Sequence, residues 1–243
     1  MKKKFGLLGR DIGYSFSKGY FTNKFEKENL DYQYDNFDLK QIEDVKKVIA
    51  NSQVKGLNVT IPYKEEVIPY MDDLDPVAKE IGAVNTIKFE KNQKLRGYNS
   101  DYYGFTESLK PLLNDSIKKA LILGTGGASK AIAYSLNKLN IAYTFVSRNP
   151  DVNQLSYTNL DEDIIKSSTL IINCTPLGTF PNIQDSPDIP YEYITKNHVL
   201  YDLIYNPDET VFLRKGKEKG ATISNGSRML VLQAEKSWEI WNT

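Results

Sequence analysis

Gly124-Thr125-Gly126-Gly127-Ala128-Ser129 separates an apolar run, Ala120-Leu121-Ile122-Leu123, from a stretch of helical periodicity over 131–139. A strand, a glycine turn and a helix in that order suit the pyrophosphate of a dinucleotide. Glycines let the backbone turn tightly and approach the phosphates, and the helix N-terminus offers unpaired N–H groups with a partial positive charge. The third glycine position holds Ser129, and a tight turn in any α/β domain would use glycines in the same way. A second feature adds weight. In an NAD site an acid about twenty residues further on ends the second strand and accepts from the ribose 2′-hydroxyl. In this sequence the strand expected over 143–146 runs into Ser147-Arg148-Asn149, with no acid among them. A guanidinium and a hydroxyl suit a phosphate on the 2′-oxygen, so the pattern predicts NADP rather than NAD.

A second set of polar residues falls at the ends of strands expected in the first hundred residues, where open α/β sheets bind ligands. Ser15 and Ser17 follow the first strand, and Asn58-Val59-Thr60-Ile61-Pro62-Tyr63-Lys64 ends the third. Val84-Asn85-Thr86 belongs to the next, and Tyr98-Asn99-Ser100-Asp101 closes the set. Alternation along a strand puts Asn58 and Thr60 on one face. Converging Ser, Thr, Asn and Asp side chains suit a small polyhydroxylated ligand better than an apolar one. Singly, each has a plainer use: Ser15, Ser17 or Asp101 as a helix cap, Lys64 as a solvated lysine at a helix start. The chain holds one His (His198) and one Cys (Cys174). That leaves no intramolecular disulfide and no Cys- or multi-His metal site to expect, so no metal is assigned. Acid–base chemistry would fall to Lys, Asp, Glu or Tyr.

The elements that must position these groups are read from hydrophobic periodicity. Strands are expected over 4–8, 32–39, 56–61, 83–89 and 95–98, with helices over 18–29 and 41–51; the polar turn Glu90-Lys91-Asn92-Gln93 suits a hairpin. A helix from 101 to about 113 follows. Then come strands over 120–123, 143–146, 170–173, 199–204 and 221–224, and a last helix over 227–242. Short apolar runs alternating with amphipathic stretches are the pattern of βαβ units and mostly parallel sheets. The reading is an α/β protein of two domains. Residues 1–100 with 226–243 form the α/β substrate domain, and 101–225 form a Rossmann-type doubly wound domain.

Composition narrows the partners. Of the 243 residues 40% are hydrophobic and 26% charged, and 31 Lys and Arg balance 31 Asp and Glu. No excess of positive charge recommends nucleic acid or anionic membrane as a partner. Behind Met1-Lys2-Lys3-Lys4 the apolar stretch is too short for a signal sequence, and no run suits a membrane span. A cytoplasmic protein acting on a small molecule, as monomer or homodimer, is expected.

The ordered motifs resemble those of shikimate dehydrogenase along nearly the whole chain. They are Ser15-x-Ser17, Asn58-Val-Thr60-Ile-Pro-Tyr-Lys64-Glu65, Gly82-Ala-Val-Asn85-Thr86 and Gly97-Tyr-Asn99-Ser-Asp101. Gly124-x-Gly-Gly-Ala-Ser129, Ser147-Arg148, Asn173-Cys-Thr175-Pro-Leu-Gly178, Tyr201-Asp202-Leu-Ile-Tyr205-Asn-Pro and Asn225-Gly226 through Gln233-Ala follow. The resemblance implies an oxidoreductase that interconverts 3-dehydroshikimate and shikimate with NADP, on the route to chorismate and the aromatic amino acids. It implies Lys64 and Asp101 at the reacting oxygen, Ser15, Ser17 and Tyr205 on the substrate carboxylate, and Thr60, Asn85, Asp101 and Gln233 on ring hydroxyls. Gly124, Thr125, Gly126, Gly127, Ala128 and Ser129 would cradle the pyrophosphate, Ser147, Arg148 and Asn149 the 2′-phosphate, and Thr175, Leu203 and Gly226 the nicotinamide end. Tyr14 and Lys18 stand where the family has His and Pro, Ser100 where it has Thr, and Ser227-Arg228 in place of a more apolar pair. A quinate or broad-specificity dehydrogenase and a non-catalytic ligand-binding relative are the alternatives.

Overall fold

Short Val-, Ile- and Phe-rich runs need both faces covered, and the residues between them place Phe21 with Phe25, and Val45 with Val48, on single helical faces. In the computed structural model, which describes residues 2–13, 15–91 and 94–243, these become two compact units. One comprises Met1–Tyr103 with Gln233–Thr243, the other Gly104–Leu232.

The first unit contains β1 (Lys3–Gly9), α1 (Phe16–Lys27), β2 (Tyr32–Asp38), α2 (Val45–Ile49), β3 (Val54–Val59), β4 (Asp73–Leu74), α3 (Pro76–Ile81), β5 (Thr86–Phe89) and β6 (Leu95–Tyr98). Its sheet runs β2-β1-β3-β5-β6-β4. β1 is parallel to both β2 and β3, whereas β5 is antiparallel to β3 and to β6. The hairpin closes through Glu90 N donating to Lys94 O at 2.8 Å; Asn92 and Gln93 of its turn, like Tyr14, lie outside the described residues. The period of two along β1 divides the core. Phe5 and Leu7 join Phe21, Phe25 and Tyr34 on one face, while Leu8 joins Val45, Leu57 and Ile87 on the other.

The chain passes between the units within α4 (Asp101–Leu109) and again within α8 (Ser227–Asn242). The second unit holds β7 (Lys119–Leu123), α5 (Gly127–Lys138), β8 (Ala142–Ser147), β9 (Leu155–Ser156), α6 (Glu162–Ser167), β10 (Leu170–Asn173), β11 (Val199–Asp202), α7 (Val211–Glu218) and β12 (Thr222–Ser224). Its strands are all parallel in the order β12-β11-β10-β7-β8-β9. This is the doubly wound order, and it reverses direction between β7 and β10, where such sheets bind their ligands. β7 is buried on both sides: Ala120 and Ile122 pack with Phe105 and Leu136, Leu121 and Leu123 with Ile165 and Phe212.

Several boundaries differ from the periodicity reading for local reasons. The helix expected over 41–51 is a 3₁₀ turn, Ile42–Asp44, running into α2. The strand expected to reach 204 stops at Asp202, whose side chain takes the Ile204 N–H at 3.0 Å in place of a ladder partner. α3 is bracketed by signals of its own: Asp75 accepts from Val77 N, Pro76 opens the first turn, and Gly82 closes it at φ 71°.

Candidate functional site

In the first unit the strand–turn that ends β3 presents Lys64, and the start of α4 presents Asp101. Val84 N donates to Lys64 O at 2.7 Å, fixing the lysine backbone against the segment that leads into β5. Asn99 does the same for the acid. Its amide donates to Ala83 O at 3.0 Å and its oxygen accepts from Asp101 N at 3.0 Å. Asp101 therefore sits in the first turn of α4, where the helix dipole favours a carboxylate. Lys64 Nζ donates to Asp101 Oδ2 at 2.8 Å, with side chains 15% and 4% exposed. A pair so nearly dry is held by backbone geometry on both sides, and the Lys64 side chain keeps a little exposure to solvent.

A buried polar network lies behind this pair. Asn85 is 2% exposed and its amide is fully engaged. Its Nδ2 donates to Ser100 Oγ and Gln233 Oε1, both at 3.1 Å, and its Oδ1 accepts from Ser100 N at 2.6 Å and Thr86 Oγ1 at 3.0 Å. Ser237 of α8 joins the same network, accepting from Asn58 Nδ2 at 2.9 Å and lying 2.8 Å from Thr86 Oγ1. Asn58 in turn accepts from Tyr34 Oη at 2.8 Å, and burial pushes the Tyr34 phenol well up, opposed by its hydrogen bond with Ser17. Ser15 is the N-cap of α1, accepting from Lys18 N at 3.3 Å. A capping hydroxyl still has a proton to donate. Thr60 is half-buried beyond β3, its N–H bonded to Leu8 O at 2.9 Å.

In the second unit the glycine loop joins β7 to α5. Gly124 has φ 97°, a conformation that favours glycine, and Gly126 is the N-cap of α5 with no side-chain cap of its own. A Cβ built on Gly126 meets nothing within 4 Å, so the backbone there is open to a close-lying group. The Ser129 hydroxyl turns back to Gly126 O at 2.7 Å, which tightens the first turn. The first N–H groups of a helix have no partner within it, and an anion fits them. At the end of β8 Ser147 Oγ accepts from Asn149 N at 3.2 Å, while Arg148 is exposed. Thr175 is held after β10 by Asn173 Oδ1, which accepts from its N–H at 3.0 Å and its hydroxyl at 2.7 Å. Leu203 N donates to Asn173 O at 3.0 Å, and Gly226 N to Ile204 O at 2.9 Å. A Cβ on Gly226 would lie 2.1 Å from Leu203 O, so only glycine permits that approach. Tyr205, half-buried, follows in the same turn. Loop, helix terminus and cation-tipped second strand together fit a dinucleotide carrying a 2′-phosphate.

The chain is similar to known proteins over nearly its whole length. Residues 7–87 match the shikimate dehydrogenase substrate-binding domain. Shikimate dehydrogenase (NADP(+)) of Clostridium botulinum is 41% identical, over 97% of this chain and 95% of that one. The chain belongs to the shikimate dehydrogenase family. Two solved members of the family superimpose on it. Shikimate dehydrogenase 1 of Peptoclostridium difficile is 39% identical with TM-score 0.86, covering 99% of this chain and 92% of that one. Shikimate 5-dehydrogenase of Thermus thermophilus, in complex with NADP(H) and shikimate, is 29% identical with TM-score 0.86, covering 98% and 93%.

For this shikimate dehydrogenase relative, then, the structure brings Lys64 to Asp101 and Asn85 to Gln233, and strings Thr175, Leu203 and Gly226 along one backbone junction. The reading of residues alone gives no role to Ser100, Ser237, Asn173 and Asp202. Ser237 has one available signal, its place four residues after Gln233 and hence on the same face of α8. Among the described residues no three His, Cys, Asp or Glu side chains group to hold a metal ion, and no helix is long and apolar enough to cross a membrane.

Proposed function

We propose that this protein catalyses the reversible, NADP-dependent reduction of 3-dehydroshikimate to shikimate, a step of chorismate and aromatic amino-acid biosynthesis. The observation that carries the reading is the 2.8 Å contact between Lys64 Nζ and Asp101 Oδ2, held from both sides by backbone bonds. Reduction of a ketone leaves an oxygen that must gain a proton, and oxidation of the alcohol must remove one. Bound at the glycine loop, the cofactor supplies or accepts the hydride. Lys64 Nζ gives the proton to the substrate oxygen in one direction and takes it in the other. Asp101 orients the ammonium through Oδ2 and offers its other oxygen to a substrate hydroxyl.

The remaining roles are those that the resemblance to the family implies. Ser15 and Ser17 at the start of α1, with Tyr205, hold the substrate carboxylate. Thr60, Asn85 and Gln233 bind ring hydroxyls. Gly124 to Ser129 cradle the pyrophosphate, Ser147 to Asn149 bind the 2′-phosphate, and Thr175, Leu203 and Gly226 border the nicotinamide. The first unit is the substrate domain and the second the cofactor domain. A single thiol suits the reducing cytoplasm, where we place the enzyme as a monomer or homodimer.

A spectrophotometric assay crossing shikimate and quinate with NADP⁺ and NAD⁺ tests this. Turnover should be fastest with shikimate and NADP⁺. Faster oxidation of quinate would instead favour a quinate dehydrogenase, and ligand binding without turnover of either acid would leave a non-catalytic relative.

A further inference from the structure

Asp202 ends β11 wholly buried, and among the described residues the three groups that bond to its carboxylate are neutral donors. Oδ1 accepts from Asn173 Nδ2 at 3.1 Å and from Ile204 N at 3.0 Å; Oδ2 accepts from Thr210 Oγ1 at 2.7 Å. Thr210 also caps α7, accepting from Leu213 N, and its side chain lies under Gly178. Burying an acid without a cation is costly, so its retention here calls for a use.

The bonds show what it holds. Asn173, fixed by Asp202 through its amide nitrogen, spends its side-chain oxygen on the N–H and hydroxyl of Thr175. Its backbone oxygen takes the N–H of Leu203, next to Asp202. The Thr175 methyl in turn lies 3.0 Å from where a Cβ on Gly124 would stand, and Gly226 packs on Leu203 O. The turns after β10 and β11 are thus tied to each other at one buried carboxylate, and the positions read as bordering the nicotinamide are all on or against them. The adenosine end, at Ser147 to Asn149, receives none of these bonds. We propose that Asp202, acting through Asn173, is the positioning residue that fixes the nicotinamide-bordering turns, an assignment that rests on the dehydrogenase reading above.

The hold is one of shape. In Asp202→Asn one oxygen still accepts from Asn173 and Ile204, and the new amide donates to Thr210, whose hydroxyl rotates to accept. In Asp202→Ala the Ile204 N–H and the Thr210 hydroxyl lose their acceptor, and Asn173 keeps only its longer bond to Leu177 O at 3.4 Å.

The test is steady-state kinetics with shikimate and NADP⁺, beside the affinity for adenosine 2′,5′-bisphosphate, which probes only the adenosine end. Misplacement of the reacting end by a fraction of an ångström predicts a roughly ten- to hundredfold lower kcat for Asp202→Ala. Binding of the bisphosphate should stay within about twofold, and Asp202→Asn should recover most of the rate. Asn173→Ala should lose kcat as Asp202→Ala does, and the double variant should be little worse than either. If Asp202→Ala does not fold, Asn173→Ala carries the test alone, with the same two readouts. An unchanged kcat in the alanine variants, loss of bisphosphate binding in step with the rate, or an Asn variant as slow as Ala would each overturn the assignment. An inactive wild type would overturn the dehydrogenase reading itself, a result distinct from an active wild type with insensitive variants.

Discussion

Lys64 is positioned by its backbone before its charge matters. With its carbonyl bonded to Val84 N and its ammonium to the buried Asp101, the amine has little freedom. Removing it should act on the chemical step more than on binding. Lys64→Ala is expected to lower kcat roughly a hundred- to ten-thousandfold, the range of a lost general acid–base, with a small change in the KM for shikimate. Initial rates over a range of shikimate concentrations separate the two effects; wild-type kcat would remove Lys64 from the mechanism. Arg148 belongs to binding instead. It is exposed at the end of β8, and the proposed function has it bind the 2′-phosphate, the group that distinguishes the two dinucleotides. Arg148→Ala should weaken NADP⁺ binding roughly tenfold to a hundredfold, as loss of a charge-assisted hydrogen bond does, and leave the affinity for NAD⁺ nearly unchanged. Fluorescence titration with both nucleotides checks it.

At the scale of elements, close packing rather than propensity sets what the helices tolerate. α7 lies on β11 with Gly216 facing Leu200, and a Cβ there would come 2.3 Å from Leu200 Cδ2. Leu200 is wholly buried, so its side chain has nowhere to turn. Alanine inside a helix gains about 1 kcal/mol over glycine, whereas overpacking a filled core costs about 1–3 kcal/mol. Gly216→Ala is therefore expected to lower the midpoint of urea unfolding; a raised midpoint would show that the β11 face has slack. Much of this level is legible in the residues. The doubly wound unit declares itself because its central strands β7, β10 and β11 are buried and read as apolar runs, and α8 because its apolar positions hold one face for four turns. The two-residue strands β4 and β9 have no period to show. α3, α6 and α7 escape a periodicity reading although Asp75-Pro76, Asp161 and Thr210 mark their starts, because each apolar stripe is only two turns long.

The whole molecule decides what a residue's neighbours are, and there the sequence is least direct. Lys64 and Asp101 stand 37 residues apart, and only the β3-β5-β6 pairing brings them together; motif resemblance, not spacing, links them beforehand. Asp202 is the sharper case, since an acid at a strand end reads alike whether it will be solvated or sealed. Sealing has a measurable consequence. Burial pushes the Asp202 carboxyl up from 3.8 to about 6, against the opposing bonds from Thr210, Ile204 and Asn173. Between about pH 4 and pH 6 the folded chain keeps this proton while the unfolded chain has released it, so stability falls as pH rises through that window and the loss is complete above it. Over two pH units the effect amounts to about 3 kcal/mol at most. Asp202→Asn has no proton to lose and lacks this slope. Urea unfolding of both proteins should therefore show the wild type losing ground to the Asn variant as pH is raised from about 4 to about 7, with the other titrating groups cancelling in the difference. A difference that stays flat across that range would mean that the carboxyl titrates alike in the folded and unfolded chain, and that the pocket around it is wet.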